Sequence, residues 1–222
     1  MAHPVSPYLV PGFYDTALAK GRHRDIVGGR WDETGRIQMQ ILQGAGMAPH
    51  HHLLDIGAGS LRLGCKAVPW LNPGHYWATD ASRALMVRGR EIELPDPNRL
   101  PEDHLIEDSD FLLPGVAPKI DFAIAFGVFT HLPLTMLETA LARLRPRLEQ
   151  ARLLLFTVFL SPDATAGPLR QPDGVVTHPD RPPYHFDRAS LTQICCQTGW
   201  EATQIPLVLP RGQVLISASP TG

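Results

Sequence analysis

Two short stretches carry the residue types that could do chemistry. The first is Asp55-Ile56-Gly57-Ala58-Gly59, which follows the apolar run His52-Leu53-Leu54, and Asp80 lies 21 residues beyond Gly59. Glycines at 57 and 59 let the chain turn sharply after a strand and bring backbone against a ligand with no Cβ in the way. A carboxylate at the end of the next strand can accept two hydrogen bonds from a ribose 2′,3′-diol. A lone Gly-x-Gly after a strand is often only a tight turn, and Asp80 at this spacing is what favours a ribose-bearing ligand. A dinucleotide fingerprint wants glycine where Arg62 stands, which counts against a nicotinamide cofactor.

The second stretch is Phe126-Gly127-Val128-Phe129-Thr130-His131-Leu132. His131 is the first candidate for a general base, because a free imidazole titrates near neutrality, and the competing reading is a histidine at a helix start bonded to nearby backbone. Tyr184, His185 and His178 lie in a later loop and are individually weak candidates for an acceptor pocket. The run His50-His51-His52 enters a strand without a second ligand group at fixed spacing, so no metal site is expected. Cys65, Cys195 and Cys196 read as reduced, buried thiols.

These residues need a scaffold. Asp32 can cap a helix with an apolar face of Ile37, Ile41, Leu42 and Ala45. Strand, glycine turn and helix follow, with the helix expected over 60–71. A second strand over 75–80 leads to a helix that Ser82 can start, and 104–106 is a third strand. A strand over 120–126 precedes a helix opened by Pro133 and ended by Pro146. Residues 152–159 form the most apolar run, as in a parallel strand covered on both faces. A helix over 187–197 and two strands, 203–209 and 213–217, complete the chain. Strands alternating with helices and then a terminal hairpin argue for a parallel sheet with helices on both faces. The 222 residues suit one such α/β domain.

Composition narrows the partners. Hydrophobic residues make up 44% and charged residues 19%, which excludes disorder. A net charge of −2 lacks the basic footprint of a nucleic-acid binder. No signal-like leader or long apolar run is present, so a cytoplasmic protein with no membrane partner is expected. The sequence has 22 prolines, and their cluster from Pro162 to Pro183 marks an irregular segment.

The motif Leu53-Leu54-Asp55-Ile56-Gly57-Ala58-Gly59, Asp80, Asp110-Phe111 and the 126–132 segment together resemble the class I S-adenosylmethionine-dependent methyltransferases. Gly28-Gly29-Arg30-Trp31 and Pro183-Tyr184-His185 are similar to an uncharacterised bacterial branch of that family. The resemblance covers about 31–218 and departs mildly at Ala58, where many members have Cys, and at Phe126-Gly127. It implies a Rossmann-like three-layer α/β sandwich with a seven-stranded, mostly parallel sheet in the order 3-2-1-4-5-7-6 and strand seven antiparallel. It implies S-adenosyl-L-methionine as cofactor, held by Trp31, Asp55, Gly57, Ala58, Gly59, Arg62, Asp80, Ala81, Asp110, Phe111, Phe126 and Gly127. Arg24 and Arg30 are further candidates to cap it. His131, Tyr184 and His185 are then the catalytic candidates toward an O or N atom of a small-molecule acceptor, in keeping with a biosynthetic role. The alternative is an inactive cofactor-binding regulator or partner protein. In domain terms, 1–30 is expected to be a cap, and 31–222 a methyltransferase domain with an inserted lid at about 161–186.

Overall fold

A computed structural model describes residues 6, 8, 10, 12–116, 119–162 and 167–222. The start of the expected cap, and residues 163–166 of the expected lid, lie outside the described residues. Seven strands make one sheet: β1 (Leu53–Ile56), β2 (Tyr76–Asp80), β3 (Leu105–Glu107), β4 (Phe122–Ala125), β5 (Leu153–Val158), and, numbered by their place in the chain, β10 (Trp200–Ile205) and β11 (Val214–Pro220). Their order is β3-β2-β1-β4-β5-β11-β10. β1 pairs in parallel with β2 and β4, β2 with β3, and β11 runs antiparallel to both β5 and β10. The expected order 3-2-1-4-5-7-6 is the observed one. Every residue of β1, β2 and β4 is buried, so these strands are covered on both faces and carry no period-two pattern.

Internal packing divides the chain into Tyr8–Ile124 and a second unit of Ala125–Gly222, with which Ser6 groups. In the first unit, α1 (Asp15–Ala19) lies in the N-terminal segment, and α2 (Trp31–Gly44) buries Thr34, Gln38, Ile41 and Leu42 along one stripe. Asp32 does not cap α2. Arg30 holds that position at φ 48°, and Asp32 sits exposed in the first turn, where an acid favours the helix dipole. The helix after β1 is α3 (Gly64–Trp70), four residues shorter at its start than expected, because Leu61 takes φ +63° and holds the chain in turns. Next, α4 (Arg83–Glu93) is capped by Ser82, whose hydroxyl accepts from Leu85 N–H at 3.2 Å.

In the second unit, α5 (Leu134–Arg147) follows Pro133, and Pro146 lies inside its last turn instead of stopping it. The expected irregular segment contains strands: β6 (Leu160–Ser161) pairs in parallel with β9 (Phe186–Asp187), and β7 (Leu169–Arg170) forms a hairpin with β8 (Val176–Thr177). Asp187 caps α6 (Arg188–Gln197) by accepting from Ser190 N–H at 2.8 Å. β10 stops before Pro206, which has no N–H for the ladder, so 206–209 is loop and not strand. Cys195 is buried, but Cys196 is exposed, against the expectation for that pair. Among the described residues no helix is long and apolar enough to cross a membrane, and no side-chain cluster could hold a metal ion.

Candidate active site

In the first unit, the turn after β1 is tied to the end of β2. Gly57 and Gly59 adopt φ of +70° and +57°, which glycine alone takes without strain. Gly57 and Ala58 donate their N–H groups to Thr79 O at 2.7 and 3.0 Å. Gly59 N–H donates to Asp80 Oδ2 at 2.9 Å, and Ser82 N–H to Asp80 Oδ1 at 3.0 Å. Burial raises the Asp80 carboxyl from its ordinary range, while N–H groups of Ser82, Gly59 and Ala81 oppose that. Both carboxylate oxygens are thus tied to backbone N–H groups where β2 ends.

Asp55 is 2% exposed and accepts from the Tyr76 hydroxyl at 2.6 Å across the β1–β2 pair. Burial pushes its carboxyl up to about 7 against the Tyr76 hydrogen bond and the charge of Arg62. Arg62 donates to the carbonyls of Val27 and Gly29 at 3.0 and 3.2 Å, and Ser60 Oγ to His23 O at 2.8 Å. Residues 22–31 are therefore strapped onto the glycine turn. Glu93 completes the strap by accepting from His23 Nε2 at 2.7 Å and from Arg24 at 2.7 and 2.6 Å. Trp31 stands edge-on to His23, with the Arg24 guanidinium 5.2 Å from its ring centre. Arg30 is exposed. A Cβ at Gly59 would lie 2.6 Å from Val27 Cγ1. That glycine is thus needed by the strap, not only by an approaching ligand.

After β3, Asp108 organises the loop that carries Asp110 and Phe111. Its two carboxylate oxygens accept from Asp110 N–H at 2.9 Å and Leu113 N–H at 2.8 Å, and Phe111 sits at φ +60°. Sequence reasoning passed over Asp108, although Asp-Ser-Asp is an Asx-turn signal. It also passed over Tyr14, whose phenol is raised by burial and then by the charges of Asp80 and Tyr8. No spacing rule links residue 14 to residue 80.

In the second unit, Phe126 is 8% exposed, and Gly127, at φ +77°, donates its N–H to Thr157 Oγ1 at 2.8 Å. Thr130 Oγ1 donates back to Gly127 O at 2.8 Å, closing a tight turn that ends at His131. His131 N–H bonds to Val128 O at 3.0 Å. Burial, and then the positive charge of Arg211, push the His131 imidazole down to about 4. Tyr184 N–H reaches Thr130 O at 2.7 Å, so Tyr184 is brought beside the His131 turn. Burial and the Asp180 charge raise its phenol. His185 is directed elsewhere: it is 4% exposed, and its Nδ1 bonds Thr177 Oγ1 at 2.8 Å in the β7–β8 hairpin. His178 O accepts from His185 N–H at 3.0 Å.

A seven-stranded sheet in this order, with its last strand antiparallel and a glycine turn leaving β1, defines the class I S-adenosylmethionine-dependent methyltransferase fold, and this chain has that fold. The magnesium protoporphyrin IX methyltransferase of Synechocystis PCC 6803, solved with bound SAM, shares it at a TM-score of 0.66 and 14% identity over 99% of each chain. The 1,6-didemethyltoxoflavin N1-methyltransferase of Burkholderia thailandensis, solved with its acceptor and S-adenosylhomocysteine, is similar at a TM-score of 0.62 and 15% identity, over 100% of this chain and 94% of that one. The glycopeptide N-methyltransferase MtfA with SAM matches at 0.59 and 15% identity, over 82% and 92%. No protein-family model and no curated protein matches the chain.

Proposed function

We propose that this chain is an S-adenosylmethionine-dependent methyltransferase acting on an O or N atom of a small-molecule acceptor. One observation carries the reading: the Gly57–Gly59 turn and the Asp80 carboxylate are locked together at 2.9 Å where two adjacent parallel strands end. The solved neighbours that share the fold, at 13 to 16% identity, support it. When bound, such a cofactor supplies an electrophilic methyl group, and in-line displacement by the acceptor needs no covalent protein intermediate.

In this reading the Asp80 carboxylate is the acceptor for the ribose hydroxyls. Gly57, Ala58 and Gly59 present backbone, Ala81, Asp110 and Phe111 flank the adenosine, and Trp31, Asp55, Arg62, Phe126 and Gly127 complete the cofactor set. Asp55, through Tyr76, and Arg62, through Val27 and Gly29, act by shaping the turn and its strap. His131, neutral above about pH 4, accepts a hydrogen bond or a proton from the acceptor. Tyr184 borders the same turn, and His185 steadies the hairpin behind it. Biosynthesis in the cytoplasm is the setting this reading implies.

The test begins with calorimetry of S-adenosylhomocysteine binding. Asp80→Ala should weaken it by about 2 kcal/mol, roughly thirtyfold, the range for hydrogen bonds to a charged group. Tight NAD binding with no affinity for either sulfur nucleoside would overturn the reading. Cofactor binding without transfer to any metabolite would favour the inactive partner protein instead.

Residues 1–30 are further proposed to act as a cap and 161–186 as an inserted lid. Hydrogen exchange should show both segments gaining protection when S-adenosylhomocysteine is added. Equal, strong protection with and without the nucleoside would make them fixed walls.

A further inference from the structure

In the first unit, Glu93 fastens the strap of residues 22–31 by its charge. It is the last residue of α4, where a carboxylate opposes the helix dipole. Among the described residues its hydrogen bonds all go to the strap: Oε1 accepts from His23 Nε2 and Arg24 Nε at 2.7 Å each, and Oε2 from Arg24 Nη2 at 2.6 Å. The Glu93 side chain is only 4% exposed, so this two-pronged arginine contact is shielded from water on the carboxylate side. The strap in turn lies on residues that the cofactor reading uses. Val27 Cγ1 fills the space where a side chain at Gly59 would stand, and Gly59 N–H is the donor to Asp80 Oδ2. A nucleoside seated on the Gly57–Gly59 backbone and on Asp80 therefore has the strap at its border.

Other features of the strap oppose that fastening. His23 is 7% exposed, and its Nδ1 is buried with no hydrogen-bond partner among the described residues. The Glu93 carboxylate can only accept, so Nε2 carries the proton between them. Nδ1 is then left as an unfilled lone pair or an unmet N–H, which water would satisfy if the strap lifted. At the other end, Gly28, Gly29 and Arg30 take φ of +95°, +66° and +48° in succession, and arginine lacks the freedom of glycine to do so. A short run of such residues suits a hinge.

We propose that Glu93 is the latch of a gate: release of its contacts to His23 and Arg24 lets residues 22–31 swing away from Gly59, and S-adenosyl nucleosides enter and leave only while the strap is lifted. The proposal deepens the methyltransferase reading and rests on it for the ligand that passes. Glu93 acts through the strap, as a positioning residue. Charge-assisted contacts on one side, and an unmet nitrogen with a left-handed arginine on the other, give the strap two arrangements. The latch sets how often the open one is visited. A gate of this kind governs exchange in both directions and leaves affinity nearly as it was.

The experiment is stopped-flow measurement of S-adenosylhomocysteine binding to the full chain, whose concentration dependence gives the association rate from its slope and the dissociation rate from its intercept. Glu93→Gln keeps the size of the side chain and removes the charge. It should raise both rates by roughly tenfold, the worth of one hydrogen bond to a charged group, while the equilibrium affinity moves by less than about threefold. Arg24→Ala should do the same, and because the Arg24 side chain is 52% exposed it tests the latch even if Glu93→Gln fails to fold. Arg24→Lys, which keeps the charge without the planar fork, should fall between Arg24→Ala and the parent. Hydrogen exchange on the protein alone should show amides 22–31 exchanging roughly tenfold faster in both latch variants, with those of β4 and β5 unchanged. The proposal is overturned if both rates keep their parental values, or if exchange in both variants quickens across the whole fold as much as in the strap. It is also overturned if dissociation alone quickens, which would make the strap part of the binding surface and not a gate. Failure of the methyltransferase reading looks different, because then S-adenosylhomocysteine does not bind the parent protein at all.

Discussion

Gly89→Ala should destabilise the protein by about 2 kcal/mol or more and abolish S-adenosylhomocysteine binding. Helix propensity alone predicts the reverse, since alanine is favoured over glycine inside a helix by about 1 kcal/mol. Packing decides the sign. A Cβ at Gly89 of α4 would lie 2.2 Å from Ser60 O, 2.5 Å from Ser60 C and 3.1 Å from Leu61 Cγ. Two of those atoms are backbone, so no rotamer change can relieve the clash, and α4 must back away from the turn. The turn cannot follow freely, because Gly59 N–H is held by Asp80 and Ser60 Oγ by His23 O. Overpacking of this kind costs about 3 kcal/mol, which outweighs the propensity gain. Thermal unfolding and calorimetry on the variant check both halves, and a variant as stable as the parent would show that α4 adjusts at little cost.

Gly89 also shows where reading the sequence stops. It sits in an ordinary amphipathic pattern, and only the approach of α4 to Ser60 makes it necessary. The strands, the Ser82 cap, the Gly-x-Gly turn and the placement of Asp80 were legible because each is a local signal: an apolar run, a capping residue, a glycine, a carboxylate at fixed spacing; the strand order came with the family resemblance. The delayed start of α3 was not, because the left-handed Leu61 that causes it is a leucine, and leucine announces no turn. The strap from His23 to Trp31 was seen as a Pro/Gly-rich segment, yet its anchors Ser60, Arg62 and Glu93 lie 37, 35 and 70 residues from their partners. Arg62 was noticed for the glycine it replaces and turns out to bind the strap's carbonyls. His185, a site candidate from its neighbours in the sequence, has its Nδ1 bonded to Thr177 in the hairpin. For Gly89, the strap and Arg62 the missing information is a long-range contact, which periodicity does not encode.

Asp55→Asn should raise stability at neutral pH, and the gain should disappear in acid. The folded-state carboxyl is raised from 3.8 to about 7, so between those values the native state binds more protons than the unfolded chain. The Asp55 contribution is therefore intact below pH 3.8 and is lost as pH rises through about 7, by about 4 kcal/mol. Asparagine mimics the neutral acid and removes that loss. His131 runs the other way. Its folded value falls from 6.5 to about 4, so its contribution is whole above pH 6.5 and is lost as pH falls through 4, by about 3 kcal/mol. The two slopes oppose each other between pH 4 and 6.5, and the parent protein's own stability profile should be flatter there than either group alone would make it. The difference between variant and parent isolates each group. Urea unfolding of Asp55→Asn against the parent should give a stability gap that widens steadily from pH 4 to pH 7, and the same comparison for His131→Gln should give a gap that widens as the pH falls over that range. A gap for Asp55→Asn that is constant with pH would mean that the carboxyl is ionised in the folded protein throughout.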